Sequence, residues 1–217
     1  MTDHVCLHGY RYSVYNRIAR LTLLRKRVSH DLVEVDPFSE LPVDYMALHP
    51  FGRVPVLIHN GFAIYETAAI TRYIDRAFPG DALQPEAPKI LTRMDQVISV
   101  IDNYCYWPMV RQVFSHRIFR PITGEPACRN EIAQGMKSSG RALAALERIA
   151  LEGHVLNGKS MTLADLHLAP MIDYFTRAEE GREALSDFPG LSNWWKEISV
   201  IPELSESEPD LSALLSG

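Results

Sequence analysis

The sequence predicts an N-terminal α/β domain over residues 1–82 followed by an all-helical domain over residues 89–217. Strand and helix patterns alternate as far as Ala77, whereas only helical spacing of apolar residues follows Pro88. The segment GDALQPEAP lies between the two patterns and is rich in proline and small residues, which is typical of a linker. We therefore expect residues 83–88 to connect two domains.

The α/β domain begins with a short apolar strand predicted at residues 5–9. A polar loop over residues 10–16 follows, and apolar residues at helical spacing then predict a first helix. A second strand is expected at residues 32–35 and a short helix at residues 42–48. This part of the chain therefore has the order β-α-β-α.

A hairpin and a helix complete this domain. The β-branched run at residues 54–58 and the run at residues 62–65 flank Asn60 of an Asn-Gly turn, whose positive φ angles favour a tight hairpin. From Thr67, in the N-cap position, to Ala77 the apolar residues recur at helical spacing. The complete order, β-α-β-α-β-β-α with Val-Pro opening the third strand, is thioredoxin-like.

The hairpin leads into a helix N-terminus, where unpaired amides and the helix dipole can hold a carboxylate. Glu66 lies just before that helix and could pair with an amine, so the two features together suit an α-amino acid. If the Val54–Pro55 bond is cis, the main chain of Val54 could pair with a peptide as an added strand would. Taken alone, each motif is more often an ordinary cap or turn than a binding site.

Two motifs occur together in this part of the chain, Gly52-Arg53-Val54-Pro55 and Tyr65-Glu66-Thr67-Ala68-Ala69-Ile70. At this spacing they resemble the glutathione-binding half of the cytosolic glutathione transferases, closest to the serine-type theta and phi classes and bacterial in appearance. The resemblance implies that glutathione is a cosubstrate and that its binding residues are Arg53, Val54, Pro55, Glu66 and Thr67. The family usually has Glu-Ser where this chain has Glu66-Thr67, and it often has a cationic group where this chain has Glu40.

The loop after the first strand holds a candidate catalytic hydroxyl. Ser13 and Arg20 resemble the Ser-Pro-x-x-x-x-x-Arg-x-x-Leu pattern of serine-type transferases, although Val14 replaces the proline. The resemblance implies that Ser13 donates a hydrogen bond to the glutathione thiolate. Ser13 is otherwise a plain helix N-cap, and Tyr10 or Tyr12 are alternative donors because other transferase classes use a tyrosine.

One hydroxyl is energetically sufficient for this role. A free thiol has a pKa of about 8.5, and lowering it by about two units requires roughly 2.7 kcal/mol of preferential stabilisation of the thiolate. A hydrogen bond to a charged group contributes about 1.5–3 kcal/mol, and a helix N-terminus adds about 0.3–1 kcal/mol. A serine at a helix start therefore covers the requirement.

Two long helices are predicted at the start of the second domain. An apolar stripe over residues 90–105 predicts the first, with a kink at the Trp107-Pro108 step, and residues 125–151 predict the second. In the family the first of these helices faces the glutathione sulfur. The resemblance thus implies an apolar pocket lined by some of Tyr104, Tyr106, Trp107 and Val110.

A capping motif indicates how the helical domain folds. Thr162 and Asp165 have capping-box spacing and resemble the buried capping motif of the family's helical domain. His167 lies near Asp165 in sequence, but two residues apart on a helix they point in different directions, so a catalytic pair is not expected. The stretch over residues 188–202 also matches the family, so the resemblance covers nearly the whole chain.

Composition limits the possible partners. The 217 residues are 47% hydrophobic and 23% charged, which is sufficient for two cores, and the net charge of −5 with dispersed basic residues argues against nucleic acid. No apolar run reaches about 18 residues, so we expect no membrane span and a cytoplasmic location. The three cysteines lack metal-like spacing, so we expect no metal and reduced, packed thiols.

The sequence thus predicts a homodimeric glutathione transferase that adds the glutathione thiolate to apolar electrophiles, with a role in detoxification. A glutathione-dependent peroxidase or disulfide reductase on the same fold is one alternative. A non-catalytic binding module of this fold is another, which Glu40 and Val14 leave open and which Ser13 and Glu66 oppose.

Overall fold

A computed structural model describes residues 4–215 of the chain. The chain divides into two compact units, one formed by the chain up to Ala82 with Ser205–Pro209, the other by Leu83–Leu204 with the chain from Asp210. Among the described residues, all strands belong to the first unit and the second is helical. The predicted fold class, a thioredoxin-like α/β domain followed by an all-helical domain, is confirmed.

The first unit has the predicted order of elements. Its strands form one mixed sheet in the order β2-β1-β3-β4, in which β1 is parallel to β2 and antiparallel to β3. The bounds are β1 (Val5–Gly9), α1 (Val14–Arg25), β2 (Asp31–Glu34), α2 (Val43–Leu48), β3 (Val56–His59), β4 (Phe62–Tyr65) and α3 (Thr67–Ala77).

The core of the first unit lies between the sheet and the helices α1 and α3. Leu7 and Leu57 from the central strands are fully buried against Leu23 of α1 and Ile70 of α3. The strand β2 lies at the sheet edge, and all four of its residues are exposed. The central strands therefore carry the packing, and β2 contributes mainly its pairing with β1.

The hairpin between β3 and β4 has the predicted turn. Asn60 and Gly61 have φ angles of 51° and 85°, the positive values that a tight hairpin turn requires. The strand β3 begins at Val56, two residues after the predicted start, because the Val54–Pro55 step lies in the bend that precedes it.

A buried ion pair fastens α1 to α3. Lys26 Nζ lies 3.1 Å from Asp75 Oδ1, and both side chains are almost completely buried. The same ammonium donates to the carbonyl oxygens of Gly80 at 3.4 Å and Asp81 at 3.1 Å. One cation thus connects the end of α1, α3 and the segment after α3.

The second unit consists of helices, and none among residues 4–215 is long and apolar enough to cross a membrane. A π-helix over Ile101–Phe119 continues α4 through the predicted kink site at Pro108. Proline cannot donate to the preceding turn, and wider winding is one way a helix accommodates it. The helices are α4 (Pro88–Val100), the π-helix, α5 (Arg120–Ile122), α6 (Arg129–Leu151), α7 (Leu163–Arg177), α8 (Glu179–Ser186), α9 (Pro189–Ile198) and α10 (Pro202–Glu206), before a 3₁₀ turn (Ser212–Leu215).

The predicted capping box at the start of α7 is present. Asp165 is fully buried, and its carboxylate accepts hydrogen bonds from Thr162 N and Thr162 Oγ1, each at 2.7 Å, and from Trp194 Nε1 at 2.8 Å. Burial raises the pKa of Asp165, and these hydrogen bonds oppose the rise. The box therefore joins the start of α7 to α9.

The three cysteines differ in their surroundings. Cys6 and Cys105 are buried free thiols, and burial raises the pKa of both, that of Cys105 to about 12. Cys128 is exposed, so its predicted packing role is wrong. It occupies the N-cap of α6, a surface position.

Candidate active site

The register of the sheet brings the predicted site segments to one end of the first unit. His8, near the end of β1, pairs with Val56 at the start of β3, and Val56 pairs with Tyr65 at the end of β4. The loop after β1 that carries Ser13, the Val54–Pro55 step and the start of α3 therefore lie at the same end of the sheet. Sequence positions more than 40 residues apart meet there because β1 and β3 are antiparallel neighbours.

Glu66 has a backbone conformation that is rare for a residue with a side chain. Its φ and ψ are 68° and 114°, and it is the N-cap of α3, because its carbonyl accepts from the amides of Ala69 and Ile70. The predicted N-cap at Thr67 is therefore wrong, and Thr67 is the first helical residue, largely buried. Such a conformation costs about 1–3 kcal/mol and is found most often at functional sites.

The start of α3 presents unpaired donors beside an acidic group. Within residues 4–215, the amides of Thr67 and Ala68 have no hydrogen-bond partner, as expected for the first turn of a helix. The exposed Glu66 carboxylate makes no capping hydrogen bond. This helix start therefore offers donors for a carboxylate and a carboxylate for an amine, separated by one residue.

The segment before β3 presents an extended main chain. The Val54–Pro55 bond is cis, the isomer on which the suggested pairing with a peptide depends. Among the described residues, neither the amide nor the carbonyl of Val54 has a backbone partner. The adjacent Arg53 is exposed, and its guanidinium makes no ion pair within residues 4–215. A peptide could therefore pair with Val54, and an anionic group with Arg53.

Tyr45 supports this segment from α2. Its hydroxyl donates a 2.7 Å hydrogen bond to the carbonyl oxygen of Arg53, and the side chain is 5% exposed. Burial raises the pKa of Tyr45 to about 12, so the phenol stays protonated at neutral pH. The hydrogen bond fixes the peptide group between Arg53 and Val54.

His49 lies buried close to the charged groups of the site. Its amide donates to the carbonyl of Tyr45, and its ring centroid lies 4.8 Å from that of Tyr65. Burial lowers the pKa of His49, Arg53 lowers it further, and the Glu66 carboxylate opposes both. The sequence analysis assigned no role to Tyr45 or His49. Their contacts with Arg53 and Tyr65 join different segments of the chain, and the sequence pattern of a short helix does not indicate such contacts.

Ser13 is the N-cap of α1, and its oxygen accepts a hydrogen bond from the amide of Asn16 at 3.3 Å. Accepting this bond uses a lone pair and leaves the hydroxyl proton available for a second partner. The cap role and the role of donor to a thiolate are therefore compatible. The 12-residue helix behind Ser13 also directs its positive dipole end to this loop.

Aromatic side chains surround the same loop. The rings of Tyr10 and Tyr12 meet edge-on with centroids 5.3 Å apart, and the ring of Tyr10 meets that of Phe38 edge-on at 5.8 Å. Burial raises the pKa of Tyr10, with further contributions from Asp36, Tyr12 and Glu34. The Tyr10 phenol therefore stays protonated at neutral pH and has a proton to donate, so Tyr10 remains an alternative to Ser13 as the thiolate partner.

The four aromatic and apolar residues predicted to line a pocket lie in the π-helix of the second unit. Tyr104 and Trp107 are 65% and 59% exposed, whereas Val110 is buried. The structure therefore divides this predicted group between the surface and the core of its own unit.

The fold and the site define a class of protein. The first unit is thioredoxin-like, with a cis Val-Pro step and a helix start that suits an amino acid, and the second unit is all-helical. This is the arrangement of glutathione-dependent transferases. Two family models match the chain, the glutathione S-transferase N-terminal domain over residues 7–82 and the glutathione S-transferase C-terminal domain over residues 106–202. The chain belongs to the cytosolic glutathione S-transferase family, and the predicted family is confirmed.

Individual relatives agree with this assignment. Glutathione S-transferase F13 of Arabidopsis thaliana is 27% identical over 212 residues, covering 95% of each chain. The structure of glutathione S-transferase III in apo form matches with a TM-score of 0.82 and 22% identity, over 94% of this chain and 95% of that one. Glutathione S-transferase I from mais, in complex with atrazine glutathione conjugate, matches with a TM-score of 0.79 and 18% identity, over 98% of each. The two structures support the fold alone, and the curated relative is a plant protein, so the expected bacterial character is not confirmed.

Proposed function

We propose that this glutathione transferase binds glutathione at the sheet end described above and joins its sulfur to apolar electrophiles. The proposal rests on three groups at one end of the sheet. They are the unpaired amides of Thr67 and Ala68, the adjacent Glu66 carboxylate, and the main chain of Val54, which has no backbone partner among the described residues. These groups match, in order, the α-carboxylate and α-amine of a γ-glutamyl group and the peptide of a cysteinyl residue. The match of the chain to the glutathione S-transferase family models supports the same ligand.

Each predicted site residue has a distinct role in this proposal. Thr67 supplies the helix-start amide for the γ-glutamyl carboxylate, Glu66 pairs with the γ-glutamyl amine, and Val54 pairs with the cysteinyl main chain while Pro55 shapes the bend. Arg53 binds the glycyl carboxylate, because its guanidinium has a planar fork and no competing ion pair among the described residues.

Ser13 is the proposed catalytic residue of a serine-type, theta- or phi-like enzyme. Its hydroxyl donates to the glutathione sulfur once the thiol proton has left to solvent, and the dipole of α1 adds to the stabilisation of the anion. The thiolate sulfur then forms a carbon–sulfur bond with the electrophile, and the displaced group leaves with its electron pair. Tyr10, Tyr12 and Phe38 form an aromatic surface suited to an apolar electrophile.

A matched pair of variants tests the ligand assignment. Glu66→Gln removes one side of a charge pair, and a hydrogen bond to a charged group contributes about 1.5–3 kcal/mol, so we expect glutathione to bind roughly 10- to 100-fold more weakly by calorimetry. Glu86→Gln makes the same change at an exposed position of the predicted linker and leaves the affinity unchanged. Equal affinities for both variants contradict the assignment of Glu66.

The same purified protein decides between conjugation and the alternatives. Turnover of aromatic electrophiles with a bound thiol pKa below the free value supports the transferase. Reduction of organic peroxides without conjugation would assign the peroxidase or disulfide reductase activity, and absence of glutathione binding would leave a binding module of this fold.

The quaternary state, domain boundaries and location complete the proposal. Each unit exposes large aromatic residues, Phe51 at 68% in the first and Trp107 at 59% in the second, and a homodimer would cover such surfaces. A light-scattering mass near twice the chain mass of 24.6 kDa is expected, and a mass near the single value contradicts it. We propose domains at residues 1–82 and 89–217 joined by residues 83–88, and a cytoplasmic enzyme of detoxification.

A further inference from the structure

The imidazole ring of His49 lies between the two segments that carry the proposed glutathione residues. Its centroid is 4.8 Å from that of Tyr65, the residue before Glu66, and 6.2 Å from that of Phe51, two residues before Arg53. The rings of Phe51 and Tyr65 also meet edge-on at 6.2 Å. His49 is 2% exposed. Three rings therefore join the bend before β3 to the end of β4.

The main chain on both sides of this ring is fixed as well. The amide of His49 donates to the carbonyl of Tyr45 at 3.0 Å, and its carbonyl accepts from the amide of Gly52 at 2.9 Å. The positive φ of Gly52, 60°, turns the chain towards Arg53 at this point. A ring held by the main chain and by two packed neighbours has little room to move away when its charge changes.

The buried position disfavours the protonated form of His49. An imidazolium carries a proton on both ring nitrogens, and Nδ1 is buried without a hydrogen-bond partner among the described residues. A second proton would therefore create a buried charge and a buried donor without an acceptor. Burial accordingly lowers the pKa of His49 from its ordinary value of 6.5, so the ring is neutral at neutral pH.

Two charged groups act on the titration of His49, and both belong to the proposed site. The Glu66 carboxylate raises the pKa of His49 more than the Arg53 guanidinium lowers it. In the proposed complex the γ-glutamyl amine neutralises Glu66, the glycyl carboxylate neutralises Arg53, and the γ-glutamyl carboxylate meets the positive end of α3. Bound glutathione therefore removes the larger, favourable influence on the imidazolium, so binding should lower the pKa of His49 further.

We propose that His49 is a positioning residue of the glutathione site, whose neutral ring permits binding and whose protonation in mild acid weakens it. Coupling between two binding events is reciprocal, so a ligand that disfavours the proton is itself disfavoured by the proton. Because the pKa of His49 is lowered, the full affinity is present at neutral pH and is lost as the pH falls below about 6.5. The inference rests on the glutathione site proposed above.

Calorimetric titration with S-methylglutathione at pH 5 and pH 7.5 tests the proposal. This ligand has no thiol, so thiol ionisation contributes nothing to the pH dependence. We expect the unaltered chain to bind about fivefold more weakly at pH 5. In His49→Phe, which keeps an aromatic ring beside Tyr65 but cannot take a proton, the ratio of the two affinities should be near one. Other titrating groups contribute equally to both chains, so the difference isolates His49.

A matched control removes a histidine elsewhere in the same unit. His4 is exposed just before β1, and its amide donates to Asn60 Oδ1 in the hairpin turn, away from the sheet end that carries the site. His4→Gln should therefore keep the fivefold dependence. Equal dependence in His49→Phe and His4→Gln overturns the role of His49.

An NMR titration of the His49 ring in the unaltered chain measures the same coupling without any substitution. The pKa of His49 should be lower in the complex with S-methylglutathione than in the free protein, and an unchanged or raised pKa overturns the proposal. Binding that is equally tight at pH 5 and pH 7.5 also overturns it but leaves the glutathione site intact. Absence of binding at pH 7.5 overturns both.

Discussion

Replacing Ser13 with alanine tests the proposed activation of the thiol most directly. The change removes the hydroxyl donor but leaves α1 and its dipole in place. A hydrogen bond to a charged group contributes about 1.5–3 kcal/mol, and one pKa unit corresponds to about 1.36 kcal/mol, so we expect the pKa of bound glutathione to rise by about one to two units. Glutathione affinity should stay nearly unchanged at a pH where the thiol is protonated, because the binding contacts lie elsewhere.

The assay is a pH titration of thiolate absorbance in the complex, with S-methylglutathione as the blank. The cap bond to Asn16 is long, 3.3 Å, so its loss should lower the free energy of unfolding by only about 0.5–1 kcal/mol, which urea unfolding can check. Ser13→Thr retains a hydroxyl and should retain the lowered pKa.

Tyrosine variants identify the donor if it is not Ser13. Tyr10→Phe and Tyr12→Phe should leave the thiol pKa unchanged. An unshifted pKa in Ser13→Ala would refute the assignment, and a raised pKa in Tyr12→Phe would transfer the role to that phenol.

Four further outcomes follow from the contacts around the site and in the cores. Tyr45→Phe removes the bond to the Arg53 carbonyl, worth about 0.5–1.5 kcal/mol, so the KM for glutathione should rise roughly two- to tenfold with kcat retained. The Tyr45 hydroxyl loses its proton near pH 10 in the unfolded chain but only near pH 12 in the folded protein. The free energy of unfolding should therefore fall as the pH rises between these two values, and it should fall more steeply in the unaltered chain than in Tyr45→Phe. Asp165→Ala leaves buried donors such as Trp194 Nε1 unpaired and should lower the free energy of unfolding by roughly 3–5 kcal/mol in urea, whereas a loss below about 1 kcal/mol would contradict its capping role. A thiol reagent should titrate one cysteine, Cys128, in the folded chain and all three in denaturant.

Elements fixed by local chemistry were predictable from the sequence. The strand β4 has the predicted bounds, and the Asn-Gly turn before it has the predicted φ angles, because the residues that decide both are adjacent in the chain. The capping box at Thr162 and Asp165 is similarly local. The π-winding around Pro108 had no such signal, since proline predicts a disturbance of a helix without specifying its form.

The resemblance proposes Arg53, Val54 and Glu66 as binding residues, and those assignments stay predictions. Helical spacing placed the N-cap of α3 at Thr67, one residue late, because a positive φ at a glutamate contradicts residue preference. The bond from Tyr45 to the Arg53 carbonyl joins a helix to a loop and leaves no trace in spacing.

The buried pair of Lys26 and Asp75 restricts how this chain can diverge. Loss of either partner alone leaves an uncompensated charge and costs about 3–5 kcal/mol, a large share of the 5–15 kcal/mol that typically separates folded from unfolded states. Replacement of both by apolar residues is often close to neutral. The two positions, 49 residues apart, are therefore expected to change together or not at all, and relatives should carry either the complete ion pair or a matched apolar pair.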